Sequence, residues 1–170
     1  MMNMLINKKL DRLEKELGVP IDESRYIAKH YLRALYAFSK VQDFANLRHV
    51  LPAEMYYVAK IAAYRQEDCG SCLQIAVNHA RKAGISPLII QAALDGKLSA
   101  LSPDAQMIFR FAESQVNRED DPDTREKIIQ RFGHQGLIEL ALALTSARMF
   151  PTVKRVLGYA VSCSRVKVAV

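Results

Sequence analysis

The chain has 170 residues, enough for one sizeable hydrophobic core without disulfide staples, so a single domain over 1–170 is expected, with 1–20 as a helical arm. Half of the residues are hydrophobic and a quarter are charged, while seven glycines and six prolines are too few for a loop-rich all-β protein, which leaves an all-α fold as the expectation. The formal charge of +6 suggests nucleic acid, but Lys8, Lys9, Arg12, Arg81, Lys82, Lys154, Arg155, Arg165 and Lys167 fall in separate segments without a binding motif; solvated helix faces account for them, and no nucleic-acid partner is expected.

In chain order, the opening stretch MMNMLINKKLDRLEKELG mixes apolar and charged residues from the start and lacks the uninterrupted apolar run of a signal peptide. Leu10, Leu13 and Leu17 form a stripe at helical spacing, stopped by Gly18 and Pro20. Asp22 or Ser24 then caps a second helix whose apolar face carries Ile27, Tyr31, Ala34, Leu35 and Phe38. A third helix runs from Pro52 towards Arg65. A fourth follows the cysteines, with Leu73, Ala76, Val77, Ala80 and Ala83 on one face and Gly84 at its end.

Ser86-Pro87 and Ser102-Pro103 each read as an N-cap followed by proline in the first helical turn, where its missing N–H does no harm, and Gly96 closes the short helix between them. The acidic cluster Glu119–Asp123 lacks the alternating ligands of a calcium loop and reads as a turn plus N-cap, with Pro122 opening the next helix. Gly133 and Gly136 separate that helix from GLIELALALTSARMF, which is apolar nearly all round and is expected at the centre of the core or in a subunit contact. This run carries Glu139 and Arg148 and falls short of the ~20 residues of a spanning helix, so a soluble, cytoplasmic protein with no membrane partner is expected. The architecture that follows is a compact helical bundle with an N-terminal helical extension.

The chemistry is expected at Cys69 and Cys72. A Cys-x-x-Cys pair that opens a helix brings its thiols within bridging reach, and the unpaired backbone N–H groups with the helix dipole favour a thiolate there. A free thiol, with its pKa of about 8.5, is mostly protonated at neutral pH, so lowering that value is what makes a nucleophile. Gly70 and Ser71 impose little bulk between the cysteines, and one thiol can resolve a mixed disulfide formed at the other. A zinc site needs further ligands, of which His79 and Cys163 are the candidates, but no second Cys-x-x-Cys is present; inert buried thiols are the plainer alternative. No metal or cofactor is expected.

Around the cysteines, Glu54, Tyr57, Ile61, Tyr64 and Asp68 approximate one helical stripe that presents an acid and two phenols, with core packing of Tyr57, Ile61 and Tyr64 as its alternative. His30, His49 and His134 read as structural or surface residues, and Cys163 as a small buried side chain or a third thiol.

The stretch CGSCLQIAVNHARKAGISPLIIQAALDGKLSALSPDAQMIFRFA resembles the carboxymuconolactone decarboxylase superfamily, in particular its alkylhydroperoxidase (AhpD-like) branch, over roughly residues 50–115. The features that carry the likeness are the Cys-x-x-Cys at a helix start, Ala80 and Ala83 before Gly84, Ala93-Leu94 before Gly96, and the helix from Pro103 through Phe111. The resemblance implies an all-helical homo-oligomer in which Cys72 attacks a peroxide and Cys69 resolves it, with a reducing protein partner. It also implies a histidine one turn after the second cysteine, where this chain has Ala76, and an acid on the preceding helix, for which Glu54, Glu67 and Asp68 are candidates. His79 is the nearest replacement, but seven residues of helix rise about 10.5 Å, so it reaches Cys72 only through water.

The expected function is therefore thiol-disulfide redox chemistry on a peroxide or a protein disulfide, through Cys72 and Cys69, with His79, Glu54 or Glu67 moving the proton. The alternatives are a non-catalytic oligomeric binding module on the same scaffold and a cofactor-free decarboxylase or lactone-processing enzyme.

Overall fold

Helix signals in the sequence translate directly into chain direction. A computed structural model describes residues 2–160; Cys163, Arg165 and Lys167 lie outside the described residues. Among these, every regular element is helical: α1 Met2–Leu17, α2 Asp22–His30, α3 Leu32–Ser39, α4 Val41–Ala45, α5 Ala53–Gln66, α6 Gly70–Lys82, α7 Pro87–Asp95, a 3-10 turn Leu98–Ala100, α8 Pro103–Val116 and α9 Pro122–Val156. The protein is an all-α bundle.

The three caps read from sequence form as expected. Ser86 Oγ accepts from the Leu88 N–H, Ser102 Oγ from the Ala105 N–H and Asp121 Oδ1 from the Thr124 N–H, and each of these helices carries proline in its first turn. The second helix differs from expectation. Neither Asp22 nor Ser24 caps it; Ile21 stands at the N-cap without a side-chain bond. The stripe from Ile27 to Phe38 is also not one helix, because Tyr31 leaves the helical region (φ −154, ψ 79) and starts α3 on a new axis. Apolar periodicity alone does not register such a turn, since the stripe continues on both sides of it.

The central element is α5 rather than the apolar run of α9. Most of α5, from Met55 to Tyr64, is buried, and it packs against α6, α7, α8 and α9. A helix buried on all sides has no solvent stripe, which is why its sequence, AEMYYVAKIAAYRQ, shows apolar residues in every direction. In α9 the apolar segment contributes one face: Leu140, Ala143, Leu144 and Ala147 are buried while Ile138 is exposed. This is also the helix long and apolar enough to cross a membrane by composition, yet it bends at Gly133 (φ 70, ψ 172) and buries Glu139 and Lys154 within the protein.

The segment read as an arm lies packed on the bundle. Leu10, Leu17, Val19 and Ile21 form a small buried cluster against which Leu35 and Ile75 pack. Asn78 Nδ2 donates to Leu17 O at 2.8 Å and Lys82 Nζ to Glu16 O at 2.6 Å, fastening the C-terminal end of α1 to α6.

Glu139 fixes the other approach to the core. Its carboxylate accepts from the backbone N–H groups of His49 (2.6 Å), Val50 (3.0 Å) and Leu51 (2.8 Å), in the loop that delivers the chain to α5. Burial raises its pKa, but the three N–H groups outweigh that and hold it below the usual carboxylate range. Glu139→Ala leaves those donors without their acceptor and is expected to cost about 3 kcal/mol or more, measured by urea unfolding. Because the folded-state pKa is depressed, the stabilisation is present above the unfolded value of 4.5 and is lost as pH falls through the folded one; the gap between wild type and variant therefore closes in acid.

Candidate active site

Between α5 and α6 the chain reverses through Asp68, whose left-handed backbone (φ 45) is a conformation that aspartate tolerates better than most side chains. The turn leaves Cys69 at the N-cap of α6 and Cys72 one turn in, so both thiols point at the same spot. Their Sγ atoms are 2.7 Å apart as free thiols, a small movement from the ~2.05 Å of a disulfide.

The pair sits in asymmetric surroundings. Cys69 is 0 % exposed and Cys72 2 %, but Cys72 lines a cavity of about 70 Å³, and Cys69 does not. Walls come from α1 to α6 and α9, among them Leu17, Phe38, Tyr64, Ala76 and Phe150. The position one turn after Cys72, Ala76, thus faces the cavity and fills little of it.

Polar groups collect on the sulfur side. Lys154 Nζ donates to Ser71 Oγ at 2.9 Å and lies 3.5 Å from Glu23 Oε2, and both charged side chains are buried. The Ser71 hydroxyl that accepts from Lys154 also meets Cys69 Sγ at 3.7 Å, where either atom can donate. The order Glu23, Lys154, Ser71, Cys69, Cys72 is a continuous polar chain that runs from α2 through α9 to the open end of α6.

The contact between the two sulfurs dominates their acidity, and this chain adds to it. The contact from Cys72 lowers the Cys69 thiol from 9.0 to about 6 against the opposing effect of burial, helped by the Cys72 backbone N–H, Ser71 and Lys154. Cys72 moves the other way: its contact with Cys69, then burial, then the Cys69 charge keep it protonated far above the ordinary thiol range. The two sulfurs hold one proton between them and titrate as a pair. Tyr64, buried beside both, stays a phenol because burial first and the sulfur charges second raise its pKa.

Of the residues expected from sequence, the structure brings Cys69, Cys72 and His79 to this region. His79 lines the same cavity, and burial, Lys60 and Lys82 all depress its pKa, so the imidazole is neutral. The α5 stripe is divided: Tyr57 and Tyr64 line the cavity, whereas Glu54 sits at the opposite end of the helix and accepts from Ser102 Oγ at 3.2 Å. Glu67 does not line the cavity either; it closes α5 and pairs with Arg148 at 3.2 Å and Arg155 at 3.5 Å. Neither carboxylate is placed to exchange a proton in the cavity, because each has turned to a cationic or hydroxyl partner on the outside of the bundle.

Sequence reasoning missed Glu23, Lys154 and Lys60. Lys154 reads as a surface charge because it borders Arg155, which is exposed. Lys60 did leave a signal: a single lysine inside VAKIAA, with apolar residues on both sides and no acid within a turn. Among the described residues no cluster of three or more His, Cys, Asp and Glu is arranged to hold a metal ion. Comparison of the chain with protein-family models, with curated proteins and with solved structures found no match.

Two measurements follow from these charges. Lys154→Met strands Glu23 in the interior and is expected to cost about 3–5 kcal/mol; Glu23→Gln with Lys154→Met recovers most of that, while the thiolate absorbance of both variants titrates at higher pH than in wild type. Lys60, whose folded pKa burial lowers from 10.5 to about 8, gives a different profile. Between these values the unfolded chain binds more protons, so stability rises with pH, by about 3 kcal/mol in all. Lys60→Met should therefore be the more stable protein below pH 8, with its advantage disappearing towards pH 10.5 in parallel denaturant titrations.

Proposed function

We propose that the protein is a thiol peroxidase that reduces a small hydroperoxide at Cys72 and closes a Cys69–Cys72 disulfide. The observation that carries this reading is the pair of free sulfurs 2.7 Å apart, one backed by Ser71 and Lys154, the other facing a cavity. Inert thiols would need no such charge arrangement. The resemblance of the Cys-x-x-Cys region to the AhpD-like branch supports the same reaction, and the cavity adds a preference within it. Cys69 is sealed from solvent and Cys72 is reached only through an enclosed space, so a small oxidant fits where a protein disulfide does not.

In the proposed sequence the proton shared by the two sulfurs settles on Cys69, and the Cys72 sulfur attacks the distal oxygen of the hydroperoxide. The O–O bond breaks, Cys72 becomes a sulfenic acid, and the leaving alkoxide takes a proton relayed from solvent, for which neutral His79 is the cavity's imidazole. Cys69 then attacks the Cys72 sulfur, forming the disulfide and releasing water. Two electrons leave the dithiol, and the hydroperoxide becomes an alcohol and water. A small thiol that enters by the same cavity returns the disulfide to the dithiol, its own sulfur being oxidised in exchange; a partner protein's thiol meets the same steric bar as a protein disulfide. We further propose a homo-oligomer on the basis of the resemblance, to be read from the mass in light scattering.

The decisive experiment mixes reduced protein with one equivalent of cumene hydroperoxide and follows thiol loss and cumyl alcohol. Wild type is expected to lose both thiols of the pair per peroxide, and Cys69→Ser to stop at a Cys72 sulfenic acid that dimedone traps. Cys72→Ser should leave the peroxide intact. Equal peroxide consumption by wild type and Cys72→Ser would defeat the reading and favour a binding module with inert cysteines.

A further inference from the structure

The cavity holds a charge that the dithiol chemistry does not use. Lys60 projects from the centre of α5 and is 6 % exposed. Its ammonium donates to Ala45 O at 2.9 Å and lies 5.1 Å from the Tyr56 ring centre. Ala45 O does not depend on this bond, because the Tyr56 hydroxyl donates to it as well. Among the described residues no carboxylate pairs with Lys60: Glu23, the acid lining the same cavity, is taken by Lys154. An ammonium has three donors, and an unpaired buried charge is among the least favourable features a fold can keep. The neighbouring charges do not neutralise it. Lys82 and Lys60 both bear on His79, and Glu16 is the weakest influence there.

Gln42 and Asn46 add uncharged amides beside Ala45, and Leu13, Leu17, Phe38, Ile75 and Phe150 supply apolar wall. We propose that the cavity binds an amphipathic monocarboxylate, its head paired with Lys60 beside His79 and its aliphatic chain laid along those side chains towards Cys72. One unpaired monocation matches one carboxylate; a phosphate dianion would bring more charge than the site balances. An uncharged ligand would leave the ammonium unpaired in a drier cavity, and a cation would be repelled. This binding does not require the thiols to turn over. Joined to the peroxidase reading, on which this last step alone rests, it makes the substrate a hydroperoxide that also carries a carboxylate.

The test uses calorimetric titration of the full chain with decanoate and decanol, in wild type and in a Cys69→Ser/Cys72→Ser variant, so that its outcome is separate from peroxide turnover. Decanoate is expected to bind both proteins about tenfold or more tighter than decanol, the ratio that a charge-assisted hydrogen bond supplies. Lys60→Met should lower decanoate affinity to that of decanol and leave decanol within about twofold, while Lys60→Arg retains the preference. Lys60→Gln serves the same purpose if Lys60→Met does not reach native helix content. Equal binding of the two probes, failure of decanoate to bind, or an unchanged decanoate affinity in the neutral variants overturns the assignment.

Discussion

The structure around the thiols depends on one buried ion pair. Glu23 and Lys154 come from helices far apart in sequence and meet at 3.5 Å in the interior. Neither charge is tolerable there alone, since the desolvation of each is offset only by the other and by hydrogen bonds to what remains. The pair therefore fixes α2 against α9, and through the Lys154 bond to Ser71 it fixes both against the first turn of α6. The serine hydroxyl that this ammonium holds lies 3.7 Å from Cys69 Sγ. A helix end alone gives a weak preference for anions; the buried ammonium behind the serine adds to it at both sulfurs.

The interior contains buried charges of two kinds. Glu139 is satisfied by three backbone N–H groups, and Lys154 by Glu23 and Ser71, so both act as fasteners between segments. Lys60 fastens nothing that Tyr56 does not already hold. Its place in the middle of the most buried helix contradicts the packing logic followed by its neighbours, and such contradictions concentrate where a protein binds or reacts. Cys72 and this lysine line one cavity, which is why the proposed chemistry and the unpaired charge are read as parts of the same site.

The same helix, α5, shows how far the sequence could be read. Its extent, from Pro52 to the residues before the cysteines, was legible in its length and in its proline start. Its neighbours Ser86, Ser102 and Asp121 announced their caps because capping is chemistry between residues two or three apart. The break at Tyr31 was not legible, since apolar residues recur at helical spacing on both sides of it. Glu54 and Glu67 were plausible acids by spacing, but spacing along a helix does not say which partner a carboxylate meets; Ser102 and the arginines of α9 took them. Lys154 was hidden for the converse reason, because nothing next to it in sequence reveals Glu23.

What the sequence determined by itself was local: the helices, most of their ends, the placement of two thiols one turn apart at the start of α6, and an all-α fold, all consequences of backbone geometry within a few residues. Which acids stay outside, what stands behind Ser71, and that a lysine in an apolar helix faces a cavity were decided only when distant helices packed. Burial makes each charge depend on whatever partner packing brings within reach, and sequence separation carries no record of that distance.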